Sequence, residues 1–516
     1  MTRVSNPILP GCHPDPSVCR VGDDYYLVTS TFEYFPGLPV CHSRDLVHWE
    51  RIGAVIDRAG QLPLDGLSSS SGLYAPTIRY HDELFWVVCT VVDLETEGPS
   101  YNFVVSAADP AGPWSQPTEL AVDGCDPSLL FDDDGRAWAH GMRLPAEPLW
   151  PEQTEIWLRE FDTGSRALVG PERIIWRGAL AGATWAEGPH LYKIDGYYYL
   201  LAAEAGTHFF HAEAVARADT VTGPYIGYEG NPVLTHRHLG RHCDVTGVGH
   251  ADLVQGPDGS WWALHLGMRP YGGYHYNLGR ETFLTPVTWE EGWPVFAPGV
   301  GRTPPQVEVP FLVGEPPSHA RAGAVLPGDP RWTSLRGPAD AFATPHGDGW
   351  LLRPSAATLE DQTTPAFLGV RQEHVDADVT ARLRPSLEPD EEAGLAVRQS
   401  ERSHLRWSVR RLADGALSAS AVQVVGGEAQ VLGTVPAAGD SEGRVELGLS
   451  IRGQEYRLLA GPAGPGQSVV AVADGRFLDS VSAGGFLGVW IGVYATANGR
   501  PSSSSVVVES FTYDSR

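Results

Sequence analysis

No apolar run in this 516-residue chain approaches the roughly 18–20 residues that a membrane-spanning helix needs. The opening stretch "MTRVSNPILPGCHPDPS" has no apolar signal core either. The expected location is therefore the cytoplasm, with no membrane partner. Helical periodicity is nearly absent, whereas 59 Gly and 42 Pro suit a chain of many short turns. No cysteine pair has CxxC spacing. Cys12, Cys19, Cys41, Cys89, Cys125 and Cys243 all lie in the first half and read as free thiols, not as a disulfide scaffold or a zinc site. A phosphate-binding loop, a dinucleotide fingerprint and a nucleophile elbow are also missing. Basic charge is scarce: 37 Lys and Arg against 63 Asp and Glu leave a net −26, which repels phosphate and argues against nucleic acid as a partner. A small neutral substrate fits better. With 42% hydrophobic and 19% charged residues the chain is globular, and its length suggests two or three domains.

What the chain does have is a repeat. Five segments share one grammar: "HPDPSVCRVGDDYYLVTST", "LYAPTIRYHDELFWVVCT", "CDPSLLFDDDGRAWAHGM", "AEGPHLYKIDGYYYLLAAE" and "GHADLVQGPDGSWWALHL". Each opens on a small or acidic residue, usually beside Pro, and continues through a few apolar positions to a Gly/Asp-rich turn and an aromatic strand. Two β-rich runs around such a turn form a hairpin. The segments start near Asp15, Ala75, Asp126, Glu187 and His250, at intervals of about 60 residues that leave room for two more strands each. The fold class is all-β: a five-bladed β-propeller over residues 1–305, then a Pro/Gly-rich linker over 306–324. Alternating strands over 325–516, such as "DADVTARLRPSL" and "FLGVWIGVYAT", read as a β-sandwich packing against the mouth of the propeller.

If each segment opens the innermost strand of a blade, its first residues gather at one end of the central channel. Asp15, Asp126 and Glu187 then converge with His250 and Tyr74. Like charges repel, so a purely structural propeller has no reason to collect them, whereas an enzyme does. One ionised and one protonated carboxyl are the equipment of glycoside hydrolysis, and Phe32, Tyr34, Phe35 and Tyr74 would supply apolar walls for a sugar ring.

The stretches "NPILPGCHPDPSVCRVGDDYYLVTSTFEYFPGLPVCHSRDLVHW", "CDPSLLFDDDG", "EGPHLYKIDGYYYLLAAEAGT", "GHADLV", "LGRETF…EGWPVF" and "AGGFLGVWIGVYATANG" resemble glycoside hydrolase family 43, in particular its two-domain β-xylosidases and α-L-arabinofuranosidases. The resemblance runs through essentially the whole chain. It implies an inverting, exo-acting hydrolase with Asp15 as general base, Glu187 as general acid and Asp126 as the residue that orients the acid and raises its pKa. It further implies Arg280 as a donor to substrate hydroxyls, Phe32 as a wall of the terminal-sugar subsite and Phe486 as a side chain reaching back from the sandwich. His250 would lie on the propeller axis, where some relatives hold a water-ligated divalent cation, often calcium; no cofactor is required. A dimer or tetramer is expected from the same resemblance. Inversion calls for roughly 6.5–9.5 Å between the Asp15 and Glu187 carboxyls.

Two departures bear on the substrate. Tyr74 stands where these xylosidases usually have Trp, and "GMRLPAEPLW" follows the blade-three hairpin where they carry an aromatic. The leading reading is release of terminal β-1,4-linked xylose from short xylo-oligosaccharides. An α-L-arabinofuranosidase trimming side chains is the alternative, and a non-catalytic sugar-binding propeller is a distant third.

Overall fold

The computed structural model describes residues 2–96, 100–311, 313–315, 323–437, 439–462 and 467–516. It is all-β, and five of its sheets are the blades of a propeller. Blade one is Ser17–Val21, Asp24–Val28, Gly37–Ser43 and Glu50–Ile56. Blade two runs from Thr77–His81 to Thr118–Glu119, blade three from Cys125–Phe131 to Ala167–Trp176, and blade four from Glu187–Ile194 to Ile226–Gly227. Blade five is Thr246–Gln255, Trp261–Met268, Glu281–Glu290 and Trp293–Phe296. The inner hairpins close as their turn residues require. Asp195 and Gly196 (φ 50° and 85°) join Ile194 to Tyr197 in a two-residue loop, the primed turn that an Asp-Gly pair favours.

Every blade is contiguous in sequence, so no shared sheet closes the ring. Closure comes from two other devices. Thr2–Ser5 pairs with Gln306–Val309, and the Asn6 side chain both donates to Leu284 O and accepts from Leu284 N, tying the first residues to blade five. Residues 306–309 therefore form a strand at the propeller, while residues 312 and 316–322 of the expected linker lie outside the described residues. The second device fills the channel. Buried Asp252 of blade five accepts from Ser17 Oγ (2.8 Å) and Val18 N of blade one, from Arg79 of blade two (2.8 Å), and from Tyr192 of blade four. Arg79 and Ser128 of blade three also meet His190 Nδ1, at 3.0 and 3.1 Å. All five blades thus contribute to one polar network with paired charges, the form in which buried charge is tolerated.

The second unit is a sandwich of a six-stranded sheet, Ala366–Arg371 to Glu428–Pro436, on an eight-stranded sheet that includes Asp376–Ser386 and Ser505–Ser515. Leu368, Val379, Leu395, Trp407, Leu447 and Val493 fill its core. The six-stranded sheet faces the propeller. There Trp490 stacks on Tyr34 (3.7 Å between centroids, 10°), Ser334–Leu335 pairs with Tyr34–Phe35, and fully buried Arg398 donates to Glu33 at 3.2 Å. Among the described residues, no helix is long and apolar enough to cross a membrane. Cys12, Cys19, Cys41 and Cys89 are buried and Cys125 and Cys243 partly so, all as free thiols.

Candidate active site

Several inner strands enter the channel through the same backbone device. Asp15, Asp126 and His250 adopt left-handed φ values of 55°, 52° and 55°, and Gly188 does so at 54°. Beside Asp126, Gly188 and His250 the inner ladder also slips register. A left-handed residue at such an irregularity turns its side chain out of the sheet; here that direction is the channel mouth. The cost is roughly 1–2 kcal/mol for a residue with a Cβ, least for Asp and Asn. The aligned triplets Asp15-Pro16-Ser17, Asp126-Pro127-Ser128, Gly188-Pro189-His190 and His250-Ala251-Asp252 carry this kink. The blade-four counterpart of Asp15 is therefore Gly188, and Glu187 sits one residue ahead of it. Glycine is needed there because a Cβ on residue 188 would come within 2.7 Å of the His250 ring.

Asp15 is buried. Ser30 Oγ donates to its Oδ2 (2.5 Å), Arg280 Nη1 donates to its Oδ1 (2.9 Å), and His250 Nδ1 stands 3.7 Å from Oδ1. Burial pushes this carboxyl's pKa up, but Arg280, His250 and Ser30 together pull it below the ordinary value. Asp126 accepts the Gly188 N–H at 3.0 Å, a bond that fixes the backbone beside Glu187. Burial and the nearby Asp15 raise the Asp126 pKa, against the opposing pull of His250. Glu187 is displaced furthest. Burial, then Asp126 and Asp15, hold its pKa well above the ordinary carboxylate range, with Arg280 opposing. The same surroundings thus favour the ionised form of Asp15 and the protonated form of Glu187, the opposite biases that a general base and a general acid need.

The walls are aromatic. Phe32, itself left-handed at 53°, meets Tyr74 edge-on (5.3 Å) and stacks with Phe486 of the sandwich (6.2 Å, 16°). The Arg280 guanidinium lies 5.5 Å from the centroids of both Phe32 and Phe486. Tyr74 donates to Ser70 O at 2.8 Å, and Ser70 Oγ accepts the Phe486 N–H at 2.9 Å, so one short loop holds two walls. Asp15, Phe32, Tyr74, Asp126, Glu187, His250, Arg280 and Phe486 therefore form one constellation.

Sequence reasoning missed four further side chains here: Ser30, Ser70, Thr207 and His211. Thr207 Oγ1 accepts from Arg280 Nη1 at 3.2 Å, and His211 Nε2 stands 3.8 Å from Glu187 Oε1. Ser30 lies at the end of the first repeat segment, past its second strand, where the segments share no residue type; Ser70, Thr207 and His211 lie outside the repeat segments altogether. Among the described residues, no three His, Cys, Asp or Glu side chains gather to hold a metal ion. At His250, where the resemblance implies a water-ligated cation, the nearest carboxylate, Asp15, is engaged by Arg280 and Ser30.

Comparison with known proteins gives the family of both units. Residues 4–294 match the model of glycosyl hydrolases family 43, and residues 328–514 match the beta xylosidase C-terminal concanavalin A-like domain. A xylosidase/arabinosidase of Butyrivibrio fibrisolvens is 40% identical across the full length of both chains. A non-reducing end alpha-L-arabinofuranosidase of Bacteroides ovatus is 37% identical over 98% of this chain and 94% of its own. The crystal structure of a xylan beta-1,4-xylosidase from Bacillus halodurans superposes with a TM-score of 0.89 at 32% identity, covering 99% of this chain and 100% of that one. The catalytic model spans more than half of the chain and full-length relatives share its two-domain arrangement: the chain belongs to glycoside hydrolase family 43, as an enzyme of the xylosidase/arabinosidase type.

Proposed function

We propose that this hydrolase releases terminal β-1,4-linked xylose from short xylo-oligosaccharides in a single displacement. Asp15 takes a proton from a water molecule as the water oxygen bonds to the anomeric carbon. Glu187 gives its proton to the glycosidic oxygen as the bond from that carbon breaks. The water thus adds on the face opposite the leaving group, and the anomeric centre inverts. Asp126 holds the backbone beside Glu187 and adds negative charge that keeps the acid protonated. Arg280 keeps Asp15 ionised and offers charged hydrogen bonds to sugar hydroxyls.

The observation that carries the reading is the opposite displacement of the Asp15 and Glu187 pKa values within one aromatic-walled pocket. Phe486, reaching in from the sandwich, narrows that pocket and favours chain ends over internal bonds. Proton NMR of fresh product from xylobiose tests the proposal. The expected product is xylose released as the α-anomer; β-xylose would refute inversion, and no xylose would refute the substrate.

Arabinofuranosidase activity is the second reading. The names borne by the Butyrivibrio and Bacteroides relatives and the presence of Tyr74 at the sugar wall support it. A preference of ten- to a hundredfold between the two sugars needs only about 1.4–2.8 kcal/mol. Turnover on nitrophenyl xyloside against nitrophenyl arabinofuranoside separates the readings.

A further inference from the structure

His211 lies just ahead of the third strand of blade four, fully buried, with its ring against the backbone of blade five. Its Nδ1 is 3.1 Å from Gly247 O. A carbonyl only accepts, so Nδ1 carries the hydrogen and Nε2 presents a lone pair. That lone pair has no hydrogen-bond partner among the described residues, although the atom is closed off from solvent. It faces Glu187 Oε1 at 3.8 Å. A buried acceptor left unpaired is costly, and the side chain that faces this one is Glu187, a donor when protonated. The gap is slightly longer than a hydrogen bond, as catalytic contacts often are before substrate tightens them. Gly249 permits the arrangement, since a Cβ there would lie 2.8 Å from the His211 ring.

We infer that His211 is a positioning residue for the acid: its Nε2 accepts the Glu187 O–H, holds the carboxyl in one orientation and favours its protonated form. This rests on the reading of Glu187 as general acid. When the glycosidic oxygen arrives, the O–H···Nε2 bond is exchanged for O–H···O, and the proton leaves with the departing sugar while His211 stays neutral. The lone pair then faces a carboxylate, which favours re-protonation before the next turnover. Bulk electrostatics do not require this residue, because burial and the two aspartates already act on Glu187. What His211 adds is direction.

The test separates leaving groups. His211→Asn keeps a donor toward Gly247 but offers nothing at the Nε2 position, whereas His211→Gln places an amide oxygen there. On xylobiose, whose leaving oxygen needs a proton, His211→Asn is expected to lower kcat about tenfold or more, with KM little changed. On dinitrophenyl xyloside, whose leaving group departs without protonation, it should stay within about threefold of the parent. His211→Gln should recover most of the xylobiose rate. Glu187→Ala run beside them shows whether the acid assignment holds, because it should show the same split more strongly. If Glu187→Ala splits the substrates and His211→Asn lowers both equally, or neither, the inference falls while the acid stands. If Glu187→Ala shows no split, the acid assignment falls and takes this inference with it. Thermal melting of each variant identifies one that has lost its fold; the surviving variant of the pair then decides, a split in His211→Asn or its absence in His211→Gln upholding the inference and the reverse overturning it.

Discussion

Arg280 Nη1 donates to Asp15 Oδ1 across 2.9 Å, joining two buried side chains that are 265 residues apart in sequence. A carboxylate buried among apolar groups drifts toward the neutral form, and Arg280 is the largest of the influences, ahead of His250 and Ser30, that oppose this drift at Asp15. The same guanidinium faces Phe32 and Phe486. It therefore couples the electrostatics of the base to the shape of the sugar wall.

Arg280→Met is expected to reduce kcat/KM on xylobiose on the order of a hundredfold. It should also move the pH profile. Losing Arg280 removes the main cation lowering the Asp15 pKa, so the acid limb moves up in pH. The same charge opposes the rise at Glu187, so the alkaline limb moves up too. A profile of kcat/KM against pH checks both shifts; one that falls in height without moving would refute the electrostatic role.

The two principal carboxyls should have opposite effects on stability. Asp15 has a folded pKa below its unfolded one, so it contributes stability above the ordinary carboxylate pKa and loses it as pH falls through the folded value. Glu187 is the reverse: its contribution is present at low pH and is lost as pH rises through its raised folded pKa. At neutral pH, Asp15→Asn should lower the thermal midpoint and Glu187→Gln should raise it, each by about 1–2 °C per kcal/mol of change in a protein of this size. Asn tolerates the left-handed backbone at 15, so the first variant tests charge and not strain. Differential scanning calorimetry at pH 4 and 7 checks the signs.

Much of this was legible because a propeller writes its architecture into the sequence five times. Asp15, Asp126, Gly188 and His250 occupy the same kinked position of blades one, three, four and five, so aligning the segments is nearly the same act as superposing the strands. Glu187 sits one residue off that alignment. The offset followed from a packing fact invisible in one dimension, the His250 ring occupying the space of a Cβ at 188. Thr207 and His211 were hidden for another reason: their positions depend on the loop that ends at the third strand of blade four, and loops carry no repeat. Phe486 was nameable only through family resemblance, since nothing local in "GGFLGVW" says which surface of another domain it will meet.

The interface between the two units holds a buried ion cluster. Arg398 donates to Glu33 Oε1 (3.2 Å), Tyr34 OH (3.1 Å) and Ser69 Oγ (2.8 Å), and Arg336 pairs with Glu401 beside it. Arg398→Met leaves Glu33 buried without its main cation, and should destabilise by about 3–5 kcal/mol. The double variant with Glu33→Gln should recover part of that loss. Urea unfolding of the three variants checks the cycle. Because Glu33 follows Phe32 directly, and Glu33 accepts the Ser70 N–H, the single variant should also weaken sugar binding.

Phe486 gives the sharpest test of whether the sandwich takes part in catalysis. Its backbone N–H is held by Ser70 of the propeller, Gly485 is packed so tightly on Ser70 that a Cβ there would collide, and its ring stacks on Phe32 over the pocket. The ring is only half-buried, which leaves part of one face free for an incoming sugar. Removing it uncovers roughly one aromatic face worth about 1–2 kcal/mol of contact. It also lets water reach the Arg280–Asp15 pair, weakening the interaction that keeps the base ionised. Phe486→Ala should therefore lower kcat/KM on xylobiose about tenfold, mostly through KM, with a thermal midpoint close to that of the parent. Phe486→Leu, which restores bulk without the flat ring, should recover the exclusion of water but only part of the sugar contact. Its kcat should then approach the parent's while KM remains raised. Equal kcat/KM in all three proteins would mean that the second domain only supports the first, and that the pocket is complete within the propeller.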